Sequence, residues 1–309
     1  MSPSRVLQGV FAAAITPLLS DGSIDVEGLS AYLCFLAEQG CHGALLLGTT
    51  GEGPSFSREE RAEILKAGLD VRHAYPNFSL LAGTGTPSLG ETIYLTKTAF
   101  SLGYDGVVIL PPYYFRNAKE DGIIAWFEQI LRCAVPRDGK VFLYHIPPMS
   151  GVTLSFTFLE KLKDKYPDKF YGLKDSSGDE TYCRQLGERF GKELLVFNGK
   201  DNLFPLALRN QAAGGITAGA NLLASFLRQT WEAHQQGDEN RVNQLGEVLQ
   251  KARQVIDQFP PASALIKGLL PRFTDFPRWQ PHLPLLPLAE DVLDKAYHGL
   301  IEACGNPIL

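Results

Sequence analysis

The feature that most constrains this chain is a repeated spacing. Eight short apolar runs with strand character recur along it: Phe11–Thr16, Gly43–Gly48, Leu80–Gly83, Gly106–Leu110, Val141–Ile146, Tyr171–Lys174, Leu194–Phe197 and Gly215–Thr217. Each is bounded by Gly, Pro or polar residues, the pattern of strands buried on both faces. They begin roughly 20 to 37 residues apart, which fits one strand and one helix per unit of a barrel. Helix signals fill the gaps. Asp25-Val-Glu-Gly-Leu leads into Ser30–Gln39, and Gly40 stands where a C-cap glycine belongs. Ser57-Arg-Glu-Glu is a capping box before an amphipathic run through Val71. Ser88–Ser101 stops at Gly103, and Ser155 opens a helix closing near Lys165.

This alternation predicts an α/β fold, a (β/α)8 TIM barrel with a C-terminal helical extension. The rival is an open doubly wound sheet, but the first strand is not followed by the Gly-x-Gly-x-x-Gly of a dinucleotide fold. After Asn221 the alternation ends. Helical periodicity continues through Leu222–Gln236, Asp238–Gln258, Ala262–Leu270 and Leu288–Ala303. Pro271 to Pro287 holds five prolines in seventeen residues, which predicts an extended path. The expected organisation is therefore a barrel over residues 1–221. Residues 222–309 form its last helix and an extension packed on the barrel.

Composition enters as a filter on partners. With 45% apolar and 20% charged residues the chain has the balance of an ordinary soluble globule. Its net charge of −5, without blocks of like charge, argues against nucleic acid or an anionic membrane as partner. Five scattered cysteines without a Cys-x-x-Cys suggest neither a disulfide framework nor a zinc site, as in a reducing cytosol. Met1–Phe11 lacks the apolar core of a signal peptide. No apolar run approaches the ~20 residues that span a bilayer. A cytoplasmic location is expected.

In a barrel of this kind the chemistry sits where the strands end in the C-terminal direction. Lys174, closing the sixth run, would point into an apolar interior, where lysines are rare unless paired. A free lysine is a neutral amine only about once in 2500 at pH 7. Desolvation lowers its pKa and makes it a nucleophile toward a carbonyl. The competing reading is a salt-bridged lysine, held by Asp175 or a carboxylate elsewhere. Tyr144, ending the adjacent fifth run, is placed to relay protons, or else is a core tyrosine with a satisfied hydroxyl. Thr49 and Thr50 follow the second run in a Gly-bounded turn. Their hydroxyls and N–H groups suit a substrate carboxylate, or simply close an ST-turn. Of the six dispersed histidines only His145 lies at a strand end, facing away from Tyr144 in the pleat, so no metal site is expected.

Taken together, Gly48-Thr-Thr-Gly-Glu52, Tyr144-x-Ile-Pro147, Gly172-x-Lys-Asp175 and Gly214-Gly-Ile216 followed by Asn221 resemble the dihydrodipicolinate synthase and N-acetylneuraminate lyase family of pyruvate-dependent aldolases. The resemblance covers nearly the whole chain. It implies that Lys174 is the Schiff-base lysine, Tyr144 the general acid/base and Thr49 a hydroxyl of the proton relay. It implies further that Thr50, within the turn that Gly48 opens, binds the substrate carboxylate, and that Ile216 lies beside the pyruvyl group. Gly199 belongs to the Asn-Gly that ends the seventh run, on the substrate side. Tyr114 matches a tyrosine that some members insert across a dimer interface into the neighbour's site. A homo-oligomer, a dimer or a tetramer built as a dimer of dimers, is implied in turn, with no cofactor beyond the covalent Schiff base.

Departures narrow the substrate. Dihydrodipicolinate synthases carry an arginine where this chain has Met149, and a thioether cannot hold a carboxylate bidentately. The neuraminate lyases usually carry Ser-Thr at Thr49-Thr50 and acidic residues where this chain has Lys200-Asp201-Asn202. Gly51–Ser55 and Lys174–Asp179 look more like aldolases of 2-keto-3-deoxy sugar acids and of 4-hydroxy-2-oxoglutarate. The expected activity is cleavage or formation of a 4-hydroxy-2-oxo acid, giving pyruvate and an aldehyde. A dehydratase of the same family, dihydrodipicolinate synthase or neuraminate lyase activity, and a non-enzymatic 2-oxo-acid binding protein remain as alternatives. Lys200 either pairs with a distal carboxylate or phosphate or is a solvated surface lysine.

Overall fold

The structure, a computed structural model, describes Arg5 and residues 7–308. The reading of Met1–Phe11 as free of a signal peptide therefore falls partly outside the described residues. Among the described residues eight parallel strands form a closed barrel in chain order. They are β1 (Gly9–Ala13), β2 (Gly43–Leu46), β3 (Ser79–Gly83), β4 (Gly106–Ile109), β5 (Val141–His145), β6 (Phe170–Asp175), β7 (Leu195–Asn198) and β8 (Gly214–Thr217), which pairs back onto β1. The TIM barrel expected from the spacing is the observed fold.

Alternation along each strand splits the core into two parts. Phe11, Leu45, Leu81, Val108, Phe142, Tyr144, Phe197 and Ile216 point into the barrel. Their strand neighbours Val10, Ala44, Leu80, Val107, Leu143, Leu173 and Val196 point outward against the helices. Phe197 is edge-on to both Phe11 and Phe142, with centroids 5.4 and 5.6 Å apart. Burying a ring of this size contributes about 1.5–3 kcal/mol, so the lower barrel is a packed plug rather than a channel. Gly172 makes room for it. A Cβ there would lie 2.0 Å from the Leu195 carbonyl oxygen and 3.0 Å from Phe142.

The helix caps hold, but the run expected to reach Val71 is α-helical only over Arg58–Ala67 and passes through a 3-10 turn, Gly68–Asp70. Asp25 caps the helix Val26–Glu38 by accepting from the Gly28 N–H. Ser57 and Glu60 form both halves of the capping box on Arg58–Ala67, and Ser88 and Ser155 cap the helices that follow them. Strand ends are where the expectations miss. β1 starts and stops earlier than expected: Pro17 has no N–H for the ladder, and Ile15 and Thr16 bond instead to Asn221 Oδ1 and the Gly51 carbonyl. β2 stops at Leu46 because Leu47 turns into the left-handed region at φ 59°.

Among the described residues four helices follow β8, Ala220–Gln235, Glu239–Gln258, Ala262–Phe273 and Glu290–Cys304. The proline-rich stretch is shorter than expected, since Pro271 lies inside the third of these. In a last turn a proline forfeits one N–H bond, and the Thr274 N–H still reaches the Leu270 carbonyl. Residues 274–289 then run without helix or strand, pinned by Trp279 Nε1 to Asp25 and by the Gln280 N–H to the Leu18 carbonyl. Among the described residues no helix is long and apolar enough to cross a membrane.

Candidate active site

Parallel pairing between β5 and β6 puts Tyr144 opposite Lys174 and His145 opposite Asp175. Residues in register share a face, so the first pair points into the barrel mouth and the second into the helical layer. The Lys174 ammonium nitrogen lies 4.4 Å from the centroid of the Tyr144 ring. The Tyr144 hydroxyl is 3.3 Å from Thr49 Oγ1, and Ser176 lines the same cavity. Lys174 is 3% exposed.

The competing reading of Lys174 as a structural ion pair fails on where the carboxylates go. Asp175 faces the other way, 2.8 Å from His145 Nδ1, and takes the Ser177 N–H and hydroxyl as well. Glu52, buried at the cavity wall, is spent on Lys267, 2.7 Å away. Among the described residues no carboxylate forms an ion pair with Lys174. Its ammonium sits over the Tyr144 ring instead. Burial pushes the Tyr144 phenol up, but Lys174 beside it and the hydrogen bonds from Thr49, Ser176 and Lys174 outweigh burial and leave it below the ordinary tyrosine value.

The turn after β2 is wound tightly enough to present Thr49 and Thr50 side by side. Leu47 and Glu52 both sit at positive φ, 59° and 57°. The Glu52 N–H returns to the Thr49 carbonyl and the Gly53 N–H to the Gly48 carbonyl, each at 3.1 Å. Gly53 is required, since a Cβ there would be 2.1 Å from the Leu47 carbonyl oxygen. Glu52 ties this turn to the C-terminal helices. One carboxylate oxygen meets Lys267 on Ala262–Phe273, and the other accepts from the His282 N–H. Burial pulls the Lys267 ammonium below its ordinary value, Glu52 opposing.

These groups open on one cavity of about 660 Å³ at the C-terminal mouth of the barrel. Its floor carries Lys174, Tyr144, Thr49, Thr50, Ser176 and Gly199. The structure thus brings five of the eight residues expected from the sequence to one surface. Gly48 lies behind it, lining a small void with Leu45 and Tyr144. Ile216 is fully buried in the barrel interior, beneath the cavity rather than on its wall. Tyr114 stays apart, 76% exposed and edge-on to Phe115.

Two contributors escape sequence reasoning. Ser176 sits in the segment after Lys174, yet its reach to Tyr144 depends on the next strand. A Cβ on Gly199 would fall 1.9 Å from Ser176 Oγ. Lys267 had a visible signal, a single lysine inside Ala264-Leu-Ile-Lys-Gly-Leu-Leu270, but its partner is 215 positions away. Among the described residues, no three His, Cys, Asp or Glu side chains are grouped to hold a metal.

An amine without a carboxylate, facing a phenol on the acid side of its ordinary range, can form an imine and move a proton. The chain is similar to known proteins over nearly its whole length. Residues 6–303 match the model of the dihydrodipicolinate synthetase family. A DapA-like lyase of Chloroflexus aurantiacus is 39% identical over 300 residues, 95% of this chain and 97% of that one. A 4-hydroxy-tetrahydrodipicolinate synthase of Prochlorococcus marinus is 30% identical over 96% of this chain and 95% of its own. The Acinetobacter baumannii dihydrodipicolinate synthase, solved with pyruvate, superposes with a TM-score of 0.87 at 26% identity, covering 98% of this chain and 100% of that one. YagE of E. coli, a prophage protein, shares the fold with a TM-score of 0.90 at 24% identity over 96% of this chain and 99% of its own. This chain belongs to the dihydrodipicolinate synthetase family of lyases.

Proposed function

We propose that the protein is a class I aldolase that binds a 2-oxo acid as a Schiff base on Lys174 and cleaves, or forms, a 4-hydroxy-2-oxo acid. The Lys174 amine, its proton passed to Tyr144, attacks the C2 carbonyl. The carbinolamine loses water, with Tyr144 and Thr49 passing the protons, and a protonated imine remains. In cleavage the Tyr144 phenolate takes the proton of the C4 hydroxyl. The bond between C3 and C4 breaks toward the imine, the aldehyde leaves and an enamine of pyruvate stays behind. Protonation at C3 and hydrolysis release pyruvate and restore the amine. The iminium is the electron sink, so positive charge is supplied at the reacting atom.

Thr49 and Thr50 take the C1 carboxylate through hydroxyl and backbone donors. Ile216, below the floor, gives the pyruvyl group an apolar base, and Gly48 and Gly199 leave room on either side. The observation that carries this reading is Lys174 beside Tyr144 without a carboxylate of its own. The substrates that fit the sequence departures are 2-keto-3-deoxy sugar acids and 4-hydroxy-2-oxoglutarate. Met149, 60% exposed at the rim, offers no charge to a semialdehyde carboxylate. A panel of 4-hydroxy-2-oxo acids tests the reading. Stoichiometric pyruvate and aldehyde support the aldolase, loss of water alone makes the protein a dehydratase, and ligand-induced stabilisation without turnover makes it a binding protein.

Tyr114 belongs to the same proposal through assembly. An exposed Tyr114–Phe115 pair beside the barrel mouth suits insertion into a neighbouring copy's site, so we expect a cytoplasmic homodimer or homotetramer. Sedimentation of wild type against Tyr114→Ala measures it; an unaltered monomer in both removes Tyr114 from the site.

A further inference from the structure

The ionisable side chains that line the cavity differ in whether the protein itself partners them. Five ionisable side chains line the cavity: Glu52, Tyr144, Lys174, Lys200 and Arg253. Glu52 is neutralised by Lys267. Arg253 is held by Asp201 at 3.1 Å and by Asp257. Burial works against that guanidinium, and the two aspartates outweigh it and keep it firmly protonated. Lys174 and Tyr144 serve the imine. Lys200 is left, and among the described residues its ammonium makes neither an ion pair nor a hydrogen bond. Asp257, the acid whose charge it feels, is hydrogen-bonded to Arg253 instead.

The Lys200 backbone is fixed, which separates this lysine from a loose surface one. Its carbonyl accepts from Asn198 Nδ2, and its N–H reaches Asn198 Oδ1 at 3.3 Å. The residue follows Gly199 directly, so its stem starts at the cavity floor. The rest of the lining is largely apolar and includes Ile146, Pro148, Met149, Pro284 and Leu285. A charge on such a wall is strengthened by low dielectric and favours a counter-charge strongly.

We propose that Lys200 is the specificity residue for the aldehyde half, and that the preferred substrate is a 2-oxo diacid whose second carboxylate ends that half. The proposal rests on the Schiff-base reading above. Charges then close: the C1 carboxylate faces the iminium on Lys174, and the distal carboxylate faces Lys200. A substrate with a neutral tail leaves Lys200 uncompensated against an apolar wall. A charge-assisted bond of this kind changes affinity by about tenfold or more.

Borohydride trapping of the full chain tests this with stable 2-oxo acids of matched length. The probes are 2-oxoglutarate against 2-oxopentanoate and 2-oxoadipate against 2-oxohexanoate, with pyruvate as reference. The concentration giving half-maximal adduct is read by intact mass. In the wild type at least one diacid should be captured at a concentration about tenfold below that of its monoacid. That ratio should fall toward one in Lys200→Met and survive in Lys200→Arg. Equal capture of diacid and monoacid by the wild type, or an unchanged ratio in Lys200→Met, overturns the proposal while pyruvate trapping keeps the imine. Failure to trap pyruvate or any probe removes the Schiff-base reading and this proposal with it.

Discussion

Replacing Lys267 with methionine is expected to lower the melting temperature by about 5–8 °C and to weaken pyruvate binding. Both Lys267 and Glu52 side chains are wholly buried, with Nζ 2.7 Å from Oε1. Removing one member of such a pair strands the other charge and costs about 3–5 kcal/mol. A chain of 309 residues unfolds with an entropy near 0.65 kcal/mol/K, taking about 2.1 cal/mol/K per residue, which converts the loss to the stated shift. The Gln280 carbonyl loses its donor at the same time. Because Glu52 lies in the turn that presents Thr49 and Thr50, KM for the 2-oxo acid should rise as well. Scanning fluorimetry reads the stability term. Adding Glu52→Gln to Lys267→Met removes the stranded charge and should restore at least half of the loss. A shift of under about 2 °C for the single variant, or a double variant less stable than the single, refutes the reasoning.

Other outcomes follow from the site. Tyr144→Phe should lower kcat about 10²- to 10⁴-fold while the Lys174 adduct still forms; steady-state kinetics beside borohydride trapping separates the two. The Tyr144 phenol is depressed in the folded state and ordinary in the unfolded one. The unfolded chain therefore binds the extra proton, and stability from this group grows as pH rises through the folded value toward about 10. Ultraviolet titration should show one tyrosinate forming early in the wild type and missing in Tyr144→Phe. Gly199→Ala places a methyl 1.9 Å from Ser176 Oγ and 2.8 Å from the Asp175 carbonyl oxygen. It should cost about 1–3 kcal/mol by chemical denaturation and reduce kcat by turning Ser176 from Tyr144.

The barrel was legible because its signals are local. Strand length, flanking glycines and capping residues such as Ser57 and Asp25 act within a few positions, so the eight runs and four of the helices between them could be placed from the chain alone, while Glu120–Cys133, Glu180–Phe190 and Phe204–Arg209 were not. Strand ends were less so, because they answer to distant partners. β1 ends where Asn221, 206 positions on, takes the Ile15 N–H. The site was legible to the extent that it lies on strand ends. Lys174 and Tyr144 could be named from position, but the fate of Asp175 turned on the pleat, and that of Glu52 on a lysine in the C-terminal helices. Pro271 was misread as a helix breaker because its place in the last turn depends on where the helix begins. Nothing in the sequence distinguished Ser176 from Ser177, yet one meets Tyr144 and the other Asp175.

Reductive trapping measures directly whether Lys174 is free to capture a ketone. The protein is incubated with pyruvate and borohydride, digested, and its peptides mapped by mass. A single reduced pyruvyl adduct is expected on the peptide carrying Lys174, absent in Lys174→Met, which should remain folded. An adduct on another lysine, or none on folded wild type saturated with pyruvate, contradicts it.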